Sequence, residues 1–532
     1  MNRSGTFTRR RFLQSAGGAL ATAAVGATLG PLARPARAAD TAPAARNGRP
    51  DILLIMADDM GFSDIGCYGG EVRTPHIDGL AKRGIRFTQC YNNAKCEPTR
   101  ASLLTGLYVQ QVGAGPIKHS VTLGEVLRSA GYRTLMAGKW HQTEIPVRRG
   151  FDRYFGLADG CCNYWNPGEQ REGEPPPGRK YSRWRRWAID EVVYQPYTPE
   201  DRNFYTTDAF TDYALKYLDE YGKEDRPIFL YLAYTAPHYP LHARPEDIAR
   251  YRTTYTVGWD DIRAQRFQRQ VAMGLMDRGC DPSPRDPGVT PWADAKNKDE
   301  WALKMAVYAA MIDRMDQNIG RVLAKFQELG RLDNTLVVFL ADNGGCAENV
   351  NKTPDIPPGP LPSYRTVDEP WANASNTPFR KYKTWDHEGG ICTPFIATWP
   401  KVITKGGQIN TRDVGHIIDI MATFCDVAGA EYPAEYAGRK VLPMEGKSLR
   451  PCFEGKPREG HDALYWEFGQ SKAVRQGQWK LVKHGKDDWE LYDMEADRCE
   501  LRDLAKAQPD RVQTMAAMWD AWSARCTRDY KG

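Results

Sequence analysis

Three continuous apolar runs constrain this chain more than any other feature. They are residues 51–57 (DILLIMA), 227–234 (PIFLYLAY) and 335–341 (TLVVFLA). Runs this short, apolar without alternation, read as strands buried on both faces. Helical patterns lie between them, at residues 123–130 and in a long amphipathic stretch over 299–329. Strands alternating with helices predict an α/β fold, a large mixed, mostly parallel sheet sandwiched by helices. In such sheets ligands bind beyond the carboxyl ends of the strands. The three runs end in Asp58-Asp59, in Thr235-Ala236-Pro237-His238 and in Asp342-Asn343-Gly344-Gly345. Two acids, a histidine and an Asp-Asn pair are thereby expected at one sheet edge.

At 532 residues the chain exceeds one ordinary core. The catalytic α/β domain is expected over 49–400 and a smaller α+β subdomain over 401–532. In the latter, short aromatic segments at 463–468, 472–483 and 489–494 predict an antiparallel sheet, followed by a helix over 510–525. The Pro-, Trp- and Arg-rich stretch over 161–199 predicts a loop above the active-site edge. The net charge of +5 suggests a nucleic-acid binder until its distribution is seen. Residues 1–38 hold six arginines and no acid, so the remainder carries −1. A near-neutral body excludes a phosphate-backbone partner. Those first residues instead contain Arg9-Arg10-Arg11-Phe12-Leu13, a weakly apolar Ala/Gly run and Ala36-Arg37-Ala38. That is the layout of a twin-arginine signal peptide, with the translocase as partner and a periplasmic or secreted destination. No later segment is long and apolar enough for a membrane span, so an integral membrane protein is not expected. Twelve cysteines show no C-x-x-C pair and no zinc spacing.

Asp58, Asp59, Asp342 and Asn343 together supply three carboxylates and an amide oxygen. Adjacent carboxylates repel, and a divalent hard cation resolves that repulsion; all-oxygen ligation favours Ca2+ or Mg2+ over zinc or copper. Either pair alone also reads as an ordinary strand-end turn. Cys96, at the start of a helical pattern and close to Arg100, reads either as an activated thiolate nucleophile or as a free buried cysteine.

The stretch Cys96-Glu97-Pro98-Thr99-Arg100-Ala101-Ser102-Leu103-Leu104-Thr105-Gly106 resembles the signature of the type I sulfatases, C-x-P-(S/T)-R followed by x-S-x-L-T-G, at every fixed position. The resemblance, close to the bacterial arylsulfatases, continues through Gly138-Lys139-Trp140-His141, Ala236-Pro237-His238, Ala341-Asp342-Asn343-Gly344 and the block from Asn376 to Lys383. It implies an alkaline-phosphatase-like sulfatase fold and hydrolysis of sulfate esters. It implies that a formylglycine-generating maturation enzyme oxidises Cys96 to Cα-formylglycine before folding is complete. It further implies that Asp58, Asp59, Asp342 and Asn343 hold a metal, usually calcium, which also touches residue 96. Arg100 and Lys139 would stabilise the formylglycine, His141 would hydrogen-bond one of its hydroxyls, and His238 and Lys383 would contact the sulfate, with one of the two, His238 above all, assisting the leaving oxygen as proton donor. The aldehyde hydrate attacks sulfur, the alcohol leaves, and the second hydroxyl of the hemiacetal expels sulfate once a base removes its proton. Many relatives have two glycines before the lysine; here they are Lys381 and Tyr382, which adds bulk and charge near the pocket. Two other readings remain: a phosphate or phosphonate monoester hydrolase of the same superfamily, and a silent sulfate- or glycan-binding protein never oxidised at Cys96.

Overall fold

The structure, a computed structural model, describes residues 47–532; the twin-arginine segment lies outside the described residues. Ten strands form the main sheet: β1 (Asp51–Asp58), β2 (Ile85–Phe87), β3 (Arg133–Gly138), β4 (Arg153–Leu157), β5 (Trp187–Ile189), β6 (Val192–Tyr194), β7 (Ile228–Pro237), β8 (Thr335–Ala341), β9 (Phe395–Thr398) and β10 (Gln408–Asn410). Their spatial order is β10-β2-β9-β8-β1-β7-β3-β4-β5-β6. The central five, β8-β1-β7-β3-β4, run parallel. Antiparallel pairings on both flanks make the sheet mixed.

The absence of alternation in the three runs now has its cause. Along β1, Leu53, Ile55 and Ala57 enter one core while Ile52, Leu54 and Met56 enter the other. The first core is filled by Met305, Met311 and Ile312 of the helix Lys298–Glu328 and by Phe210 and Tyr217 of the helix Thr206–Tyr221. The second takes Leu103 and Leu104 of the helix Cys96–Thr105, Val126 and Leu127 of the helix Leu123–Ser129, and Phe424 of the helix Asp419–Ala428. With both faces covered, any polar side chain mid-strand would be desolvated without a partner.

A separate four-stranded antiparallel sheet follows, from Leu464–Phe468, Ser471–Gln476, Trp479–His484 and Glu490–Asp493. The segment read as one run over 472–483 is a hairpin, turned at Gly477, whose φ of 57° suits glycine. The helix Pro509–Lys531 packs on this sheet and extends beyond the predicted 510–525. The stretch over 161–199 is loop for most of its length but also donates β5 and β6, which extend the main sheet. Among the described residues no helix is long and apolar enough to cross a membrane.

Candidate active site

Four parallel strands end at the same edge, and each delivers a polar residue there. β1 gives Asp58 and Asp59, β7 leads into His238, and β8 into Asp342 and Asn343. The fourth, β3, gives Lys139; no strand was expected there. Gly138 has φ 122°, and a Cβ on it would lie 1.9 Å from the Ala233 carbonyl oxygen of β7. Glycine lets β3 close against β7, and the Lys139 amide donates to that same carbonyl at 2.7 Å.

Cys96 is the first residue of the helix Cys96–Thr105, and all but Glu97 of that helix is buried. The approach to the helix is fixed locally. The Asn93 amide nitrogen donates to Thr99 Oγ1 at 3.0 Å, and the Asn93 side chain donates to Ser102 Oγ at 2.8 Å. One turn on, Arg100 donates through Nε and Nη2 to Asp342 Oδ2 at 3.0 and 2.7 Å and through Nη1 to the Lys139 carbonyl. Arg100 thus positions a carboxylate and a strand end. Lys383 arrives on a loop held by its own amide to the Gly345 carbonyl and by Thr384 N to the Ala94 carbonyl, just ahead of Cys96.

The ionic pairing is tight. Lys139 Nζ donates to Asp58 Oδ2 and Lys383 Nζ to Asp59 Oδ1, both at 2.6 Å. Asn343 Nδ2 also donates to Asp59 Oδ1, at 2.8 Å. Three oxygens are nevertheless left over. Asp58 Oδ1, Asp59 Oδ2 and Asn343 Oδ1 are buried and accept no hydrogen bond. Ligand atoms of Asp58, Cys96 and Asp342 lie within 4.8 Å of one another, and so do those of Asp58, Asp59 and His238. Unsatisfied buried acceptors are costly, and a hard cation is what this donor set fits. Burial, and then the charge of Asp342, push the Asp58 carboxyl up to about 8. Burial would raise Asp59 too, but the facing His238 and Lys383 outweigh it and hold Asp59 below the usual carboxylate range. Burial raises the Cys96 thiol against the pull of Lys139 and Lys383, so as cysteine it is a protonated thiol.

Both histidines are neutral. Burial and the Lys139 and Arg100 cations push His141 well below the ordinary histidine range, and its Nδ1 has no partner. Burial pushes His238 down to about 3. His238 Nδ1 lies 2.5 Å from the Tyr239 carbonyl oxygen, an acceptor only, so this nitrogen carries the proton. Nε2 then presents a lone pair at 3.5 Å from Asp59 Oδ2. All ten residues expected at the site therefore lie at the same edge, nine of them buried and His141 half-buried, although no hydrogen bond joins His141 or Arg100 to Cys96.

Four residues at the mouth escaped the sequence reading. Glu348 pairs with Lys95 at 2.6 Å and Lys180 at 3.4 Å and accepts from the Tyr239 hydroxyl. Burial opposes ionisation of Glu348, but Lys383 and Lys95 hold it well below the usual range. Lys95 and Tyr239 directly adjoin Cys96 and His238, and that adjacency was the one available signal. Behind the metal-type oxygens, Tyr308 donates to the Asp59 carbonyl at 2.9 Å and to Asp64 Oδ2 at 2.8 Å, while Arg266 grips Asp64 Oδ1 at 2.7 Å.

The sulfatase family profile matches residues 50–430, and a second, described as N-sulphoglucosamine sulphohydrolase, C-terminal, matches 380–523. An uncharacterized sulfatase of Schizosaccharomyces pombe is 32% identical over 536 residues, covering 90% of this chain and 94% of its own length. An arylsulfatase of Klebsiella aerogenes is 33% identical over 451 residues, covering 78% and 94%. The crystal structure of Ps i-CgsB superposes with a TM-score of 0.65 at 25% identity, covering 89% of this chain and 93% of that one. The chain belongs to the sulfatase family. It is a hydrolase of sulfuric esters, built on the alkaline-phosphatase-like fold of that family.

Proposed function

We propose that residue 96 acts in oxidised form, as Cα-formylglycine, and that Asp58, Asp59, Asp342 and Asn343 hold one hard divalent cation beside it, calcium or else magnesium. The convergence of Asp58, Cys96 and Asp342 ligand atoms within 4.8 Å, with three orphan oxygens around them, carries this reading. Once hydrated, an aldehyde at position 96 would offer one hydroxyl as nucleophile and a second whose deprotonation would release sulfate, and a cation held by these residues would supply positive charge to the site. Lys139 and Lys383 add fixed positive charge where negative charge develops in the transition state. Lys383, protonated, is the group able to give a proton to a poor leaving oxygen. His238 presents Nε2 as an acceptor. His141, neutral with a free nitrogen, fits the base that removes the proton of the second hydroxyl.

Cys96 is only 3% exposed. A maturation enzyme cannot reach it in the folded chain, so oxidation belongs before folding. Export by the twin-arginine translocase, which carries folded proteins, is compatible with that order and with a periplasmic or secreted enzyme. The K. aerogenes relative's name makes an aryl sulfate the natural assay substrate.

Mass spectrometry of the peptide spanning Cys96, from protein made in its native host, is expected to show an aldehyde in place of the thiol. Cys96→Ala is expected to abolish turnover of 4-nitrophenyl sulfate with the fold intact. Unmodified thiol alone would favour the silent binding protein, and turnover by the alanine variant would remove residue 96 from the mechanism.

A further inference from the structure

Beside the catalytic pocket lies a narrow recess, and none of the residues lining it is acidic. Its cationic wall is the segment from Arg179 to Arg185. Its other wall includes Cys161 and Tyr364. The two spaces are one side-chain layer apart. A Cβ on Gly160, the neighbour of Cys161, would sit 2.9 Å from the His141 ring. Tyr364 packs edge-on against Tyr239 at 6.1 Å, and Lys180 Nζ donates to the Tyr239 hydroxyl at 2.7 Å.

The arginines in this wall are held in an unusual way. Arg179 lies over the Trp184 ring at 3.8 Å and Arg185 over Tyr181 at 4.4 Å. Neighbouring Arg186, by contrast, is paired with Asp159 at 2.8 Å. Among the described residues no carboxylate lies within 4.0 Å of Arg179, Arg183 or Arg185. A guanidinium stacked on an aromatic face is immobilised while its N–H edge stays free to meet an anion. The segment is anchored as well. Gly178 N donates to the Leu361 carbonyl at 3.1 Å, Asn163 Nδ2 donates to the Gly178 carbonyl at 3.2 Å, and Gln195 Nε2 donates to the Trp184 carbonyl at 2.8 Å. Arg179 and Arg185 are thus cations held by stacking, with no carboxylate within 4.0 Å, and the recess they line lies one side-chain layer from His141 and Tyr239.

From this juxtaposition we infer that the recess binds a second anionic group of the substrate, so that the preferred ester is at least dianionic, carrying a carboxylate or second sulfo group besides the sulfate that is cleaved. The inference rests on the proposed reading of the catalytic site and narrows its substrate class. A monoanionic phenyl or alkyl sulfate would fill the reacting site and bring no anion to the recess.

The test compares 4-nitrophenyl sulfate with aryl sulfates bearing a carboxylate or a sulfonate ortho, meta or on a one-carbon arm. The readout is the ratio of kcat/KM for each anionic ester to that for the parent, in which any general loss of activity cancels. In the wild-type enzyme at low salt at least one member is expected to exceed the parent by about tenfold or more, as a charge-assisted contact supplies. Raising the salt should shrink that ratio. The combined variant Arg179→Ala/Arg183→Ala/Arg185→Ala should bring it to about one, and Arg183→Ala alone, at an exposed position, should lower it in the same direction. Which arm wins tells carboxylate from sulfo recognition. The inference is overturned if no anionic member exceeds the parent, or if the variants leave the ratio where it was. Failure of the wild type to hydrolyse even the parent ester would count instead against the catalytic reading.

Discussion

Lys383 combines two tasks in one side chain, since it holds Asp59 at 2.6 Å and retains its proton in full burial. The opposing His238 is neutral, with its proton on the nitrogen facing the Tyr239 carbonyl. On the proposed mechanism, protonation of a departing alkoxide therefore falls to Lys383. Lys383→Met is expected to slow an alkyl sulfate on the order of 100-fold or more beyond its effect on 4-nitrophenyl sulfate, whose leaving phenolate needs no proton. Equal losses on both esters would leave Lys383 with charge stabilisation alone. The three orphan oxygens carry a second expectation. A ligand that binds only the folded protein stabilises it by mass action. Chelation should lower both turnover and the melting temperature, with calcium restoring both; an enzyme indifferent to chelator would mean that Asp58, Asp59 and Asn343 hold no ion. These residues were legible in the sequence because each sits at a strand end or inside a long fixed motif. Glu348 was not, because its role comes from Lys95, Lys180 and Tyr239, which the fold alone brings to it.

Among elements, strands buried on both faces were the easiest to read, because their composition is dictated by the two cores they divide. The short outer strands β5 and β6 were hidden. Val192, Val193 and Tyr194 are exposed, and their apolar run is only three residues long. The small sheet meets the catalytic unit through a buried ionic knot that sequence patterns do not announce. Lys480 Nζ lies 2.8 Å from both Glu388 and Glu500, and Arg498 lies 2.9 Å from Glu388. Burial would raise the Glu388 pKa, but Lys480 and Arg498 outweigh it and bring it down to about 2. A depressed carboxylate contributes stability that is present above its unfolded pKa, near 4.5, and lost as pH falls through the folded one. This group should therefore contribute roughly 3 kcal/mol at pH 6 that fades between about pH 4.5 and 2. Glu388→Gln should cost about that much at pH 6, and the deficit against wild type should close on acidification. Denaturant titrations at pH 6 and pH 3 measure it; a deficit independent of pH would mean the ion pair is not the cause.

At the scale of the molecule, the described residues form one compact unit, and the small sheet is part of what shapes the site. Its Trp466 Nε1 donates at 2.8 Å to the Asn92 carbonyl, four residues ahead of Cys96. Its Ser471 Oγ accepts from Asp386 N at 2.9 Å, three residues after Lys383. The sheet thus grips both the segment that presents the nucleophile and the loop that presents Lys383. It is gripped in turn by the helix Pro509–Lys531, where Trp519 Nε1 donates to the Trp466 carbonyl at 2.9 Å, and that helix also reaches the large unit, Asp529 accepting from Gln111 at 2.9 Å. Contacts that cross in both directions and bury Trp466, Trp519 and Trp522 in the same core as β1 couple the free energies of the two sheets. Calorimetry of the full chain is expected to give a single transition, with loss of aryl sulfate turnover tracking it. A chain ending at residue 508 should lose secondary structure and activity together. Two resolved transitions, with activity surviving the first, would show that the small sheet melts without disturbing the site and that the grip on Asn92 and Asp386 does not shape it.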